Sequence, residues 1–266
     1  MAIITGRGGF PEVVLKNSHG TARISALGAT VLSWIPNGQE DILWVSPRAT
    51  FQLGSAIRGG VPVCWPWFAS DPAHPDGPSH GLVRTRRWAV ERHADSEASF
   101  AISHHESSVF PAFRLTLEVR LGVALKLSLT HHNLSDDEVG CTGALHAYFA
   151  ADASRATVSG LGSGTAFDKI LQREREIDDP LRCQGPIDLV IESGELAILQ
   201  TPGRRLALHR HDAPDVVQWN PGAERPADVP VGGEAQFVCL EAAAVTRPWK
   251  VPGGGRRTLG MTVMAR

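Results

Sequence analysis

The chain has 266 residues, 20% of them charged, with a formal net charge of -2 and a pI near 6.6. It has no basic field to draw it to nucleic acid or to an anionic membrane surface, so any phosphate recognition has to be local. No apolar run is long enough for a membrane helix, and Cys64, Cys141, Cys183 and Cys239 are scattered without a C-x-x-C pair, which suggests buried reduced thiols rather than a zinc site or a disulfide framework.

The opening "MAIITGRGGFPEVVLK" has no basic region followed by an apolar core, so the expectation is a cytoplasmic protein without a secretory signal. Two short strands are predicted at "TARISAL" and "ATVLSWI", closed by the turn residues of "PNGQED". Then comes "AIRGGVPVCWPWFAS", which is unusual in its charge: between Ala49 and Ser70 only Arg58 carries one. A guanidinium among apolar neighbours needs a partner, because an unpaired buried charge is costly. Gly59 and Gly60 after it permit close backbone approach. The loop "SDPAHPDGP" leads into "PSHGLVRTRRW", where His80, Gly81 and Arg84 precede a run of arginines that reads equally well as a solvated edge.

Strands "RWAVERH" and "SFAISHH" follow, and then the clearest periodicity in the chain. In "FRLTLEVRLGVALKLSLT", Phe113, Leu115, Leu117, Val119 and Leu121 alternate with polar residues, Gly122 marks a reversal, and Val123, Leu125, Leu127 and Leu129 resume the pattern. Period two with a central turn predicts an antiparallel hairpin with one buried face. In "ALHAYFA" the same alternation puts His146 on one face with Ala144 and Tyr148, and Leu145, Ala147 and Phe149 on the other. Small neighbours leave room for a ligand, although a lone strand histidine also serves as a hydrogen-bonded structural residue. The segment "DKILQREREIDD" is the best helical candidate, but it has little apolar stripe and reads also as a loop or surface turn.

Further strands are expected at "LAILQ", "RRLALHR", "DVVQW", "AQFVCLEAA" and "TLGMTVM". Glu241 is the only charge in "FVCLEAAAVT". Two readings stand: a carboxylate held by an internal salt bridge or backbone N–H groups, or a general base tuned toward neutral pH by desolvation. The paired histidines at 104/105 and 131/132 project to opposite faces of a strand, which is poor geometry for one metal ion. Many short strands without alternating helices predict an all-β protein, a large antiparallel β-sandwich formed as a single domain over residues 1–266.

Taken in order, "IRGGVPVCWPWF", "HGLVRT", "ALHAYF", "VSGLG" with "FDK", "VVQWNPG" and "FVCLEAA" resemble the D-hexose-6-phosphate mutarotases of the aldose 1-epimerase superfamily. The resemblance implies a galactose-mutarotase-type supersandwich that needs neither cofactor nor metal and acts on a sugar phosphate. It carries the general acid onto His146 and the general base onto Glu241. Arg58 and Arg84 fall where the phosphate is bound, and His80 and Asp188 where sugar hydroxyls are contacted. The position before His80, often Gln in the family, is Ser79 here, which shortens one sugar contact; "HG" is followed by Leu82 and Val83 instead of an aromatic and an alanine. Two other functions fit the same pocket: mutarotation of unphosphorylated aldoses, and sugar-phosphate binding without chemistry. An intact His146 and Glu241 argue against the latter, since binding alone requires no acid–base pair.

Overall fold

The computed structural model describes residues 2–70, 77–162, 164–194 and 196–266. Most of the loop expected at "SDPAHPDGP", and Ser163 of the "SGLGSG" loop, lie outside the described residues. Three antiparallel sheets account for the strands. A four-stranded sheet takes Ala2–Thr5, Pro11–Asn17, Gly20–Ser25 and Val31–Pro36 in sequence order. A nine-stranded sheet is centred on Phe113–Leu121, Leu125–Asn133, Arg256–Ala265 and Arg204–His211. An eight-stranded sheet runs Arg173–Ile177, Gly164–Asp168, Ile187–Glu192, Asp215–Asn220, Phe237–Val251, Val139–Leu145, Val63–Cys64, with Tyr148–Ala150 pairing onto the long Phe237–Val251 strand.

The predicted hairpin forms with Leu121 opposite Leu125 and Phe113 opposite Asn133. Its buried set is the alternating leucines, while Val123 sits in the turn, 78% exposed, and does not extend the pattern. One continuous core joins all three sheets: Val13 and Ile24, Leu117 and Leu127, Leu189 and Leu240 belong to the same buried cluster. His131 is fully buried, its Nδ1 accepting from Trp65 Nε1 at 3.0 Å.

The helical candidate at 168–179 is instead a β-hairpin, Gly164–Asp168 with Arg173–Ile177. Asp168 closes its turn: Oδ1 accepts the N–H groups of Ile170 and Leu171, and Oδ2 accepts from Arg175 Nε. The alternating Arg and Glu of 173–176 lie on an edge strand, where charge on the exposed side also blocks further strand pairing.

What positions the site is the use of both faces of the eight-stranded sheet. Along Phe237–Val251, Val238, Leu240, Ala242 and Ala244 enter the core, so Cys239, Glu241 and Ala243 are turned the other way. The neighbours keep the same parity. Leu189 and Val216 face the core, whereas Asp188, Val190, Val217 and Trp219 face outward, with Asp188 opposite Trp219 and Val217 opposite Glu241. The floor of that second face is a small cluster of Cys64, Ala144, Val190, Val217 and Ala243 under Phe68. Short side chains there leave space above the strand centres.

Candidate active site

His146 follows the strand Val139–Leu145, its N–H donating to the Pro62 carbonyl at 3.0 Å, and its ring stacks on Tyr148 at 4.8 Å between centroids. As the alternation required, Ala144 and Tyr148 share its side while Leu145, Ala147 and Phe149 enter the core. His146 Nδ1 lies 3.4 Å from Glu241 Oε1, and the two side chains are 8% and 1% exposed. Of the two structural alternatives for Glu241, backbone N–H groups do not hold it, and its close ionisable neighbour is His146, at a separation that makes an ion pair only when the imidazole is protonated. Both its carboxylate oxygens, and His146 Nδ1, are buried without a hydrogen-bond partner among the described residues.

Burial, then the charge of Asp188, pushes the Glu241 carboxyl well above its usual range, while Lys169 and Arg84 pull it back. His146 is driven well below the ordinary histidine value by burial and then by His80, Arg84 and Arg58. The buried pair therefore favours a neutral imidazole beside a carboxylic acid.

A cavity over this pair is lined by Arg58, His80, His146, Asp188 and Glu241, five of the six residues predicted from the sequence. His80 adopts a left-handed backbone, φ 63°, followed by Gly81 at φ 81°. Its Nδ1 accepts the Ala69 N–H at 3.3 Å, which leaves the ring proton on Nε2. Burial, then Arg84, Lys169 and Arg58, lowers His80 to about 3, so it is a neutral donor. Arg84 is absent from the cavity wall; its Nη2 donates to the Ser79 carbonyl at 2.8 Å, and its charge reaches His80, His146 and Glu241 from there.

Arg58 has partners that sequence reasoning did not find: Nε donates to Asp228 Oδ1 at 2.9 Å and Nη1 to the Tyr148 hydroxyl at 3.0 Å. Lys169, within the "FDK" string of the resemblance, is a further wall residue that the sequence analysis does not assign to the site. Its Nζ lies 3.0 Å from Asp188 Oδ2 and 5.3 Å from the Phe68 ring centroid, and it joins Phe68 and Trp219 in the wall. Asp188 is raised by burial, with Lys169 opposing. The signal for Lys169 is its place in the "FDK" string of the resemblance, since it lies in a turn beyond the strand Gly164–Asp168; Asp228 leaves no signal beyond Arg58's need of an anion. Of the tryptophans near Arg58 in sequence neither lines the cavity: Trp65 belongs to the core, and Trp67 donates to the Pro78 carbonyl. A roomier hollow of about 690 Å³ over the four-stranded sheet gathers Arg7, Lys16 and Arg23 with Asp41, but it holds no buried acid–base pair.

The large antiparallel sheets are those of a galactose mutarotase-like fold. A galactose mutarotase-like protein from Lactobacillus casei superposes with a TM-score of 0.79 at 14% identity, over 96% of this chain and 100% of the other. The chain belongs to the aldose 1-epimerase family, which matches residues 11–261, and is an isomerase of the epimerase/mutarotase class. An Escherichia coli relative described as "Putative glucose-6-phosphate 1-epimerase" is 33% identical over 262 residues, covering 90% of this chain and 85% of the relative. The crystal structure of a Salmonella typhimurium "putative mutarotase (YeaD)" superposes with a TM-score of 0.86 at 28% identity, over 100% of this chain and 96% of that one.

Proposed function

We propose that the enzyme interconverts the α and β anomers of aldohexose 6-phosphates, with glucose 6-phosphate the leading substrate. The observation that carries this reading is the buried His146–Glu241 pair at the wall of one cavity, in which His146 Nδ1 and both Glu241 oxygens have no hydrogen-bond partner among the described residues. Buried polar groups are nearly always hydrogen-bonded, and sugar hydroxyls and a ring oxygen are the partners this pair lacks.

Anomers exchange when the hemiacetal opens, C1 rotates and the ring closes on the opposite face. Glu241 removes the C1 hydroxyl proton as the C1 carbonyl forms. His146 protonates the ring oxygen as its bond to C1 breaks, and the roles reverse on closure. Acid–base groups of this kind contribute roughly 10²- to 10⁴-fold each. The reactive form is the ion pair, Glu241 carboxylate with His146 imidazolium, which carries the same proton count as the neutral pair favoured by burial. A phosphate beside Arg58 and Arg84 offsets two of the charges that hold the His146 proton affinity down, and so favours the imidazolium.

Arg58 is the phosphate ligand on the cavity wall in this scheme, for which a planar guanidinium fork is suited, and Arg84, outside the wall, adds its positive charge. His80, through Nε2–H, and Asp188, held by Lys169, contact sugar hydroxyls. The test is anomeric exchange by NMR on glucose 6-phosphate and on glucose, with wild type and Glu241→Gln. Selective acceleration of the phosphorylated sugar, lost in the variant, is the expected result. Equal acceleration of both sugars would defeat the phosphate assignment, and binding without acceleration would defeat catalysis.

A further inference from the structure

Arg58 and Asp228 are 170 residues apart, yet three contacts close a ring between them. The Arg58 side chain donates to the Asp228 carboxylate at 2.9 Å. The Asp228 carbonyl accepts the Ser46 hydroxyl at 2.5 Å, and the Ser46 N–H donates to the Arg58 carbonyl at 2.9 Å. Ser46 is fully buried, so its hydroxyl and N–H are committed to this ring. Gly59 makes the approach possible: its φ is 111°, and a Cβ there would sit 2.4 Å from the Trp44 carbonyl oxygen. On the other side, a turn closed by the Val229 N–H to the Pro226 carbonyl at 2.9 Å seats Val229 among Trp44, Tyr148 and Phe237. The Asp228 carboxylate is thus fixed by its own backbone and by its neighbour's burial.

We propose that Asp228, fastened by Ser46 and assisted by the Tyr148 hydroxyl, is a positioning residue that orients Arg58 for the phosphate of the substrate. A guanidinium has five N–H groups; Asp228 and Tyr148 engage the Nε hydrogen and one on Nη1, which leaves the second Nη1 hydrogen and both on Nη2 for a ligand. An Arg side chain otherwise has many rotamers, and binding a dianion through it would have to order them each time. The pair is partly buried, 23% and 31% exposed, so solvent and salt screen it less than a surface bridge. Asp228 acts through Arg58 and touches no reacting atom.

This inference rests on Arg58 being a phosphate ligand, so the experiment follows Arg58→Ala, Asp228→Asn and Asp228→Glu in parallel, measuring kcat and KM for glucose 6-phosphate and for glucose. Expected for Asp228→Asn is a KM for glucose 6-phosphate raised about tenfold, with kcat and the glucose KM within about twofold of wild type, and partial recovery in Asp228→Glu. Should Arg58→Ala show the phosphate-selective loss while Asp228→Asn does not, the positioning role is overturned and the Arg58 assignment survives. A lowered KM in Asp228→Asn would make the carboxylate a competitor for Arg58, and equal losses on both sugars would make it structural; either overturns the proposal. Loss on both sugars in Arg58→Ala would remove the ligand itself and with it the inference.

Discussion

Lys169 Nζ lies 3.0 Å from Asp188 Oδ2, joining the turn of an edge hairpin to a strand that faces the acid–base pair. The turn is braced by Asp168, and the Lys169 N–H donates to the Asp188 carbonyl at 2.9 Å, so backbone and side chain make the same connection. Electrostatically this ammonium is the first of the charges that lower the raised Glu241 carboxyl.

Replacing Lys169 by Met removes that cation from both carboxyls, whose proton affinities then rise further. The sign follows: a base protonated to higher pH loses activity from the acid side first. The kcat/KM of Lys169→Met is expected to fall on the order of tenfold below neutrality and to converge on wild type in alkali. A pH–rate profile measures this, and parallel profiles would remove the coupling.

Glu241→Gln is expected to lower kcat by roughly 10²- to 10⁴-fold while the protein stays folded. Its stability should also respond to pH in a defined direction. Burial raises the folded-state value of Glu241 above about 4.5, so its contribution is fully present below that pH and is lost as pH rises through the folded value. The variant has no such loss. Melting temperatures of variant and wild type should therefore separate, in favour of the variant, as pH is raised from 5 to 8.

His131 behaves in the opposite sense. Burial, then His132, lowers it to about 4, and protonation of Nδ1 would break the hydrogen bond from Trp65. Its contribution is present above about 6.5 and is lost as pH falls toward about 4, at about 1.4 kcal/mol per pH unit. In His131→Gln the amide oxygen can still accept from Trp65, and that slope should vanish from urea denaturation curves measured between pH 7 and 5.

Gly81→Ala places a Cβ 1.9 Å from the Trp65 carbonyl oxygen at a backbone φ of 81°. The expected cost is about 2 kcal/mol or more, together with a raised KM, because the strain bears on the turn that aims His80. Calorimetry beside kinetics checks it; an unchanged melting temperature would show that the turn yields freely.

Strand parity made much of the site legible. Glu241 sits between residues whose side chains enter the core, and His146 alternates with Leu145 and Ala147, so both had to face the other way once the segments were strands. Lys169 escapes that rule because it lies in the turn between Gly164–Asp168 and Arg173–Ile177, where strand alternation has ended. Arg58 was recognisable as a charge needing an anion, whereas the identity of that anion was not.

Which residues alternate into the core, and therefore which cannot, is already written in the order of the amino acids, because period-two burial is a local consequence of strand geometry. The tertiary structure alone decided which of the outward-facing groups meet. Asp228 reaches Arg58 across 170 positions, Glu241 reaches His146 through the register of two strands, and Arg84 stands back from the cavity wall. Such meetings follow from sheet order and loop closure, which depend on the burial of the whole core rather than on any local pattern.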